Sequence, residues 1–338
     1  MKKQNHSTAI AAAIGLLVLI FGSNTALRGG RDGITLCLST LIPSLYPFIF
    51  LSIILTGSLR GLALPFLRPI AKFCKMPTGS EAIIAISFLG GYPVGAQCIS
   101  LLKKQEQLTD AAAMRMIGFC NNAGPAFIFG ILGTMFSDRK TVWFLWLVNI
   151  LSALLVGYLL PGTASKNNIK QLEGSMSIMD SFTLATRAMA SICGWVILMK
   201  MVLAFIEPWL IRYLPQPAQI LAIGALELSN GCIRISDLEC EGLRFLIASA
   251  LLSLGGFCVT LQTISVSDSI PLRLYFPGKI LQCCITILLS SLFQFLFPFS
   301  ARYDCRAISA IAICITVIFL LFLKESEKSS RISVVISV

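Results

Sequence analysis

Charged residues and histidine are scarce in this sequence. Only 13% of its 338 residues are charged, and its one histidine is His6, near the N-terminus. Soluble domains usually contain about 25% charged residues, so the composition argues against a soluble protein. The single histidine also excludes most zinc sites and most mechanisms with a histidine base.

Cysteine pairs and catalytic motifs are also missing. The twelve cysteines are scattered singly, apart from adjacent Cys283 and Cys284, and no CxxC spacing occurs. We expect them to be small buried apolar residues, not disulfides or metal ligands. The sequence contains no GxxxxGK[ST] phosphate loop, no HExxH motif and no membrane-buried pair of aspartates. We therefore predict no enzyme activity, no cofactor and no metal site.

Long apolar segments dominate what is present. Hydrophobic residues make up 56% of the chain, and the mean hydropathy is +0.83. About 20 apolar residues suffice to cross a bilayer. Segments of this kind occur at 9–27, 34–55, 141–160, 181–206, 245–266, 278–297 and 307–323, and an interrupted one at 111–136. We predict an all-α polytopic membrane protein with about eight transmembrane helices.

The positive net charge of +11 fits a membrane topology better than nucleic-acid binding. Lys and Arg lie mostly in short loops between apolar segments, and they favour the cytoplasmic side. If the N-terminus lies in the cytoplasm, the cytoplasmic face carries more Lys and Arg residues than the outer face. Lys279 is one of the residues predicted on the cytoplasmic face. We predict the lipid bilayer as partner, no nucleic acid, and both termini on the cytoplasmic side of a bacterial cell membrane.

Two neighbouring apolar segments contain residues that break helices. Segment 81–102 is interrupted at Gly90–Ala96, and segment 111–136 at Asn121–Pro125. Freed backbone groups cost several kcal/mol in hydrocarbon, so such breaks persist where they line a cavity. The first segment predicts a re-entrant hairpin, because each half supplies only two or three turns.

The same order of elements recurs in the second half of the chain. A second hairpin is predicted at 219–235 with its break at Glu227–Gly231, and a second broken helix carries Gly255 and Gly256. Matched breaks in two halves are typical of transporters with inverted repeats. The predicted parts are an N-terminal transmembrane helix (1–30), a first repeat (31–161), a hydrophilic linker (162–180), a second repeat (181–300), and a C-terminal transmembrane helix with a cytoplasmic tail (301–338).

Three local expectations concern the N-terminal third. Residues 28–33 predict a polar loop on the outer side, after a first helix that is retained and not cleaved as a signal peptide. Pro43 and Pro47 predict a kink in the next helix. Segment 59–73 fits an amphipathic surface segment or a plain loop.

Two motifs carry a family resemblance that extends from about residue 41 to 266. Pro-Ser-Leu-Tyr-Pro-Phe at 43–48 and Asn-Asn-Ala-Gly-Pro-Ala-Phe-Ile-Phe-Gly at 121–130 resemble the nucleoside-recognition (Gate) domain family, and within it the sporulation integral membrane proteins of the YlbJ type. The resemblance implies kinship with concentrative nucleoside transporters and with the membrane part of ferrous-iron transporters. It also implies movement of dipicolinate across the outer forespore membrane. The first hairpin tip lacks the acidic residues that nucleoside transporters carry there, so individual nucleoside contacts do not transfer.

The candidate site residues are those that the pattern places at membrane depth beside the breaks. The predicted substrate-binding residues are Gly91, Tyr92, Gly95, Gln97, Asn121, Asn122, Gly124, Lys200, Asn230, Gly256 and Gln262. Glu227 is the predicted site of a coupling ion, H+ or Na+. The glycines and amides could also serve packing alone.

The charged candidates have alternative roles. Lys200 could form an internal ion pair with Glu227 or Glu207, and Arg115 could snorkel to the interface. Glu81 and Glu207, at segment ends, are expected to be interfacial.

The predicted function is alternating-access transport of a small anionic or aromatic metabolite. Half-helix N-termini, together with Lys200 and Arg115, suit a small carboxylate such as dipicolinate. A nucleoside or nucleobase symporter is one alternative. A non-transporting membrane scaffold needed for spore formation is another, and the oligomeric state stays open.

Overall fold

The computed structural model describes residues 6–59, 64–162, 177–267 and 270–296, together with residue 313. Within these ranges the chain is helical and forms no strand. The first half contains α1 (His6–Phe21), α2 (Ser23–Leu36), α3 (Ile42–Leu59), α4 (Arg68–Phe73), α5 (Glu81–Gly90), α6 (Val94–Lys104), α7 (Asp110–Ile117), α8 (Pro125–Gly130) and α9 (Arg139–Leu159). The second half contains α10 (Ile178–Tyr213), α11 (Gln216–Leu226), α12 (Leu228–Arg234), α13 (Glu241–Leu254), α14 (Gly256–Val266) and α15 (Tyr275–Leu296).

The distribution of side chains is that of a membrane protein. Five stretches are long and apolar enough to cross a bilayer: Ser23–Leu55, Arg139–Leu159, Ile178–Tyr213, Glu241–Val266 and Leu272–Leu296. Large apolar side chains such as Trp143 and Leu198 lie on the outside, while polar ones such as Asn149 and Gln282 are buried. The all-α polytopic prediction is confirmed. Apart from residue 313, the predicted C-terminal helix at 307–323 lies outside the described residues.

The predicted loop at 28–33 is wrong, because these residues continue a helix. Helix α2 joins α3 through a π-helical turn at Cys37–Leu41, next to Pro43, so residues 23–59 form one long helix. Gly29 and Gly33 share one face and pack against α10, where an added Cβ would lie 2.8 Å from Lys200 O and 2.9 Å from Ile197 Cα, respectively. The sequence Gly-Gly-Arg-Asp-Gly therefore works as a close-packing motif of small residues.

Helices α2 and α3 pack antiparallel to the long helix α10. Gly22 lies near Phe205 at one end of the pair. Near the other end Tyr46 Oη and Thr186 Oγ1 are 3.0 Å apart, and the rings of Phe50 and Phe182 meet edge to face. Two long helices of opposite direction thus frame the half-helices between them.

Helices α5 and α6 form the first hairpin, with both open ends at one end of the molecule. Lys103, at the end of α6, pairs with Asp110 at 2.9 Å. Glu81, at the start of α5, borders an apolar cavity with Leu154 near the end of α9. We call this the linker end; it contains residues 74–80, 105–109 and 160–162.

The second hairpin, α11 and α12, opens in the opposite direction. Gln216 Nε2 donates to Asp237 O at 3.1 Å, which joins the two open ends of the hairpin. We call this the far end. Here Ser137 N donates a hydrogen bond to Glu241 Oε1 at 3.1 Å, and Arg244 donates one to Met135 O. The two hairpins therefore enter the molecule from opposite ends, as the predicted re-entrant and inverted arrangement requires.

Each half also contains the predicted broken helix. Helices α7 and α8 are separated by residues 118–124, and α13 and α14 by the left-handed residue Gly255 (φ 76°). The break of the second hairpin is narrower than predicted. It consists of Glu227 alone, since Leu228–Arg234 is already helical.

The prediction that no cysteine is paired fails at Cys240, which is disulfide-bonded. Cys240 precedes α13 at the far end of the molecule. Most of the other cysteines among the described residues are buried, as expected of small apolar residues.

Candidate functional site

Four half-helices begin at the middle of the molecule. The second halves of both hairpins (α6 and α12) and of both broken helices (α8 and α14) start at the breaks and run outward. Their N-termini, which carry the positive ends of the helix dipoles, therefore converge. Helices α6 and α14 begin without a side-chain cap, so their first N–H groups have no side chain of their own to bond.

A central cavity of about 40 Å³ lies between these breaks. Helices α3 and α10 complete its wall through apolar residues such as Ile49, Ile192 and Val196. This volume holds only a few waters. It is far below the roughly 300 to 1,000 Å³ of a pocket for a drug-sized ligand. The structure therefore shows a closed arrangement of the breaks.

Five of the predicted site residues line this central cavity. They are Gly91, Tyr92, Gly124, Glu227 and Gln262. Glu227 and Gln262 are 2% and 4% exposed, so their polar groups are held away from bulk solvent. The structure thus brings residues from both halves of the chain to one chamber.

Glu227 has a structural role that the sequence did not reveal. Its Oε1 accepts from Ser229 N at 3.0 Å and its Oε2 from Asn230 N at 2.8 Å, so the carboxylate caps α12. A capping carboxylate at a helix N-terminus is stabilised by the dipole. This one half-helix N-terminus is therefore already occupied by a carboxyl group of the protein.

The predicted glycines bring backbones close together at the breaks. In the first half, a Cβ on Gly91 would lie 2.8 Å from Gly124 N. A Cβ on Gly95, also in the first half, would collide with Cys120 O. In the second half, a Cβ on Gly256 would lie 2.7 Å from Gly224 O. Each hairpin tip therefore packs directly on the broken helix of its own half.

Asn121 and Asn122 face away from the cavity, toward α14 and α15. Asn121 Nδ2 donates to Thr263 Oγ1 at 2.7 Å, and its main-chain oxygen accepts from Lys279 Nζ. Asn122 Oδ1 accepts from Gln282 Nε2 at 2.8 Å. The broken helix of the first half is thus held by polar side chains of the second half.

Lys279 and Gln282 were missed by the sequence analysis. Lys279 was placed on the cytoplasmic surface, but it is 4% exposed and buried against the first break. An added Cβ on Gly278 would lie 2.4 Å from Gly118 O, so this glycine lets α15 approach the break closely. The available signal was a helical spacing of polar residues within an apolar segment, at Lys279, Gln282, Thr286, Ser290 and Gln294.

Tyr92 stands between this polar cluster and the central cavity. Its hydroxyl donates to Leu252 O of α13, across the boundary between the halves. Lys279 Nζ lies 5.4 Å from the centroid of its ring, within reach of a cation–π interaction. Tyr92 therefore links the first hairpin tip to both α13 and α15.

The other charged candidates are placed as follows. Arg115 does not snorkel: it is 1% exposed and donates to carbonyls at the end of α9, including Gly157 O, Leu160 O and Pro161 O at 2.9 Å. Lys200 is half-buried on α10, and no ion pair joins it to Glu227 or Glu207 among the described residues.

The two acids predicted to be interfacial behave differently from each other. Glu81 is buried within the protein at the linker end, and its Oε2 accepts from Gly79 N at 2.6 Å. Glu207 is partly exposed and pairs with Arg234 of the second hairpin. Asn230 is buried beside Glu227 and does not line the cavity.

Gln97 lies in a second, larger cavity at the linker end. This vestibule measures about 390 Å³, and it carries Lys104, Arg187, Ser191 and Ser265. Its walls continue those of the central cavity, because Ile53 follows Ile49 by one turn on α3 and Ser265 follows Gln262 on α14. The two cavities are thus arranged one after the other along the same helices.

The fold and the converging breaks define an all-α polytopic membrane protein with an internal polar site. The chain is similar to the sporulation integral membrane protein YlbJ of Bacillus subtilis (strain 168), with 29% identity over 120 residues. The match covers 34% of this chain and 29% of the length of that relative. No family model and no solved structure matches the chain, so membership of the Gate domain family stays a prediction.

Proposed function

We propose that this protein is a membrane transporter that moves a small anionic or aromatic metabolite by alternating access. The observation that carries the proposal is the central cavity, enclosed by the breaks of two hairpins that enter from opposite ends. Oppositely oriented repeats around a midplane site are the arrangement that lets one site open alternately to each side. The cavity is closed here, so transport requires the breaks to separate.

The linker-end vestibule favours an anionic cargo. Lys104 and Arg187 give it two cationic side chains, and the uncapped N-termini of α6 and α14 lie further along the same path. Positive potential in a narrow cleft raises the local concentration of anions. Tyr92, which lines the inner chamber, offers an aromatic surface to a planar ring.

Glu227 is the acidic group of the central cavity, and we assign it the binding of a coupling proton. Its carboxylate is fixed by two N–H groups of α12 while it borders the chamber. Ionisable residues that line an intramembrane cavity commonly serve proton relay.

Charge and the disulfide support one orientation in the membrane, with the linker end in the cytoplasm. Lys72, Lys75, Lys103 and Lys104 lie near the linker end, which suits the cytoplasmic side. The disulfide-bonded Cys240 lies near the far end, which suits the oxidising side of the membrane. The vestibule would then open to the cytoplasm.

The sporulation relative and the resemblance to YlbJ-type proteins suggest dipicolinate as the first cargo to test. Uptake of labelled dipicolinate into proteoliposomes should exceed that of protein-free vesicles, and unlabelled dipicolinate should compete while uridine and adenosine should not. Competition by nucleosides would favour the symporter alternative. A folded protein that moves neither class would overturn the transport proposal and favour the scaffold.

A further inference from the structure

The ammonium of Lys279 has an unusual set of neighbours for a buried charge. Its Nζ donates to the main-chain oxygen of Asn121, to Gln282 Oε1 at 2.9 Å and toward Asn122 Oδ1 at 3.5 Å. All three acceptors are uncharged oxygens, and two of them belong to the broken segment between α7 and α8. The three donors of a lysine are thereby used within the protein.

Among the residues that the structure describes, no carboxylate forms an ion pair with this lysine. The ion pairs among the described residues join Lys103 to Asp110 and Arg234 to Glu207, and Lys279 takes part in neither. A buried cation without a counter-ion is costly, so it persists only where several polar groups replace its hydration. Asn121 also has a side-chain oxygen, Oδ1, which is buried and has no hydrogen-bond partner in the part of the chain that the structure describes.

Such a group of oxygens is what a hard monovalent cation would bind. In transporters, unwound backbone carbonyls at helix breaks coordinate Na+ at the middle of the membrane. At the first break these oxygens are the main-chain oxygen of Asn121, Oδ1 of Asn122 and, from α15, Oε1 of Gln282. Asn149 Oδ1 is next in the network and lies 3.4 Å from Gln282 Nε2. A lysine ammonium resembles such a cation, because it is a compact and strongly hydrated point charge.

We infer that Lys279 is a tethered cation that takes the place of a coupling Na+ at the first helix break. The cation is covalently attached to α15 and belongs to the other half of the chain, so it ties the break of the first half to the second. The protein consequently needs no Na+ at this break. The consequence for coupling rests on the proposed transport function, whereas the binding of a cation at this place can be tested without transport.

The test is the thermal stability of the purified full-length protein in Na+, methylammonium or choline chloride at constant ionic strength. The wild type should melt at the same temperature in all three salts. Lys279→Ala removes the ammonium but leaves the oxygens and free space. It should melt several degrees lower in choline and recover in Na+ or methylammonium. Lys279→Met fills the space without a charge and should stay destabilised in every salt.

Lys200→Ala is the matched control. Lys200 is a half-buried cation on a long helix and, within the described part of the chain, donates no hydrogen bond to such a set of oxygens. This variant should show no dependence on the cation. A wild type that Na+ itself stabilises, or a Lys279→Met variant as stable as the wild type, would overturn the inference. If the alanine variant does not accumulate, the inference is decided by the effect of Na+ on the wild type and by the stability of Lys279→Met. If the wild type shows the expected melting pattern but does not transport, only the proposed transport function is refuted.

Discussion

Substitution of Gly91 by alanine tests whether the first hairpin tip must touch the broken helix. Gly91 has φ 73° and ψ −171°, a backbone conformation that is essentially restricted to glycine and costs a residue with a Cβ roughly 1 to 3 kcal/mol. The added Cβ would also lie 2.8 Å from Gly124 N and 3.0 Å from Gly124 Cα. These atoms are main chain and cannot rotate away, so overpacking adds about 1 to 3 kcal/mol.

The expected loss is therefore about 2 to 6 kcal/mol of unfolding free energy. Gly194→Ala is the matched control, because an alanine Cβ at this helical position of α10 meets nothing within 4 Å. Alanine should even stabilise that helix, by up to about 1 kcal/mol. In a thermal scan of detergent-purified protein, Gly91→Ala should melt at least about 4 °C below Gly194→Ala. Equal melting temperatures would refute the close approach of the tip to the break.

Three further predictions concern charged residues. Arg115→Gln should lower the unfolding free energy by at least about 3 kcal/mol, because it removes charge-assisted hydrogen bonds to the end of α9; fluorescence-detected size exclusion after heating measures this, and a variant as stable as the wild type contradicts it. Glu227→Gln should keep the fold but lose stimulation of uptake by an imposed proton gradient, and Glu227→Ala should also lose a cap worth about 0.5 to 2 kcal/mol; a stimulated Glu227→Gln would exclude the carboxylate as proton site. Substitution of both Lys104 and Arg187 by Gln should raise the KM for a carboxylate and weaken its dependence on salt; an unchanged KM would show that the vestibule does not attract the cargo.

The breaks could be predicted from sequence because their chemistry is local. Glycine and proline destabilise a helix interior, so Gly90-Gly91, Asn121–Pro125 and Gly255-Gly256 favour helix ends. Their positions and their recurrence in two halves were therefore visible in the sequence. The same reasoning predicted the second hairpin around Glu227. It could not show that this carboxylate caps α12, because the side chain's direction is set by the fold.

The errors share a physical cause, which is that polar residues were assumed to mark an interface. Arg28 to Gly33 looks like a loop by polarity, but Gly29 and Gly33 allow α2 to pack closely on α10. Lys279 and Arg115 lie near segment ends, yet both are buried because backbone carbonyls at a break or a helix end accept their hydrogen bonds. Such partners are distant in sequence, so neither periodicity nor composition indicates them.

The most direct test of the central claim is to fill the central cavity from α10. Val196 is 2% exposed and borders the cavity, whereas Leu198, two residues later on the same helix, is 51% exposed on the outside. We would measure dipicolinate uptake by Val196→Phe and Leu198→Phe in proteoliposomes, at matched incorporation and with monodisperse protein. The account predicts that Val196→Phe abolishes uptake while Leu198→Phe transports like the wild type. Undiminished uptake by a folded Val196→Phe variant would contradict a transport path through this cavity.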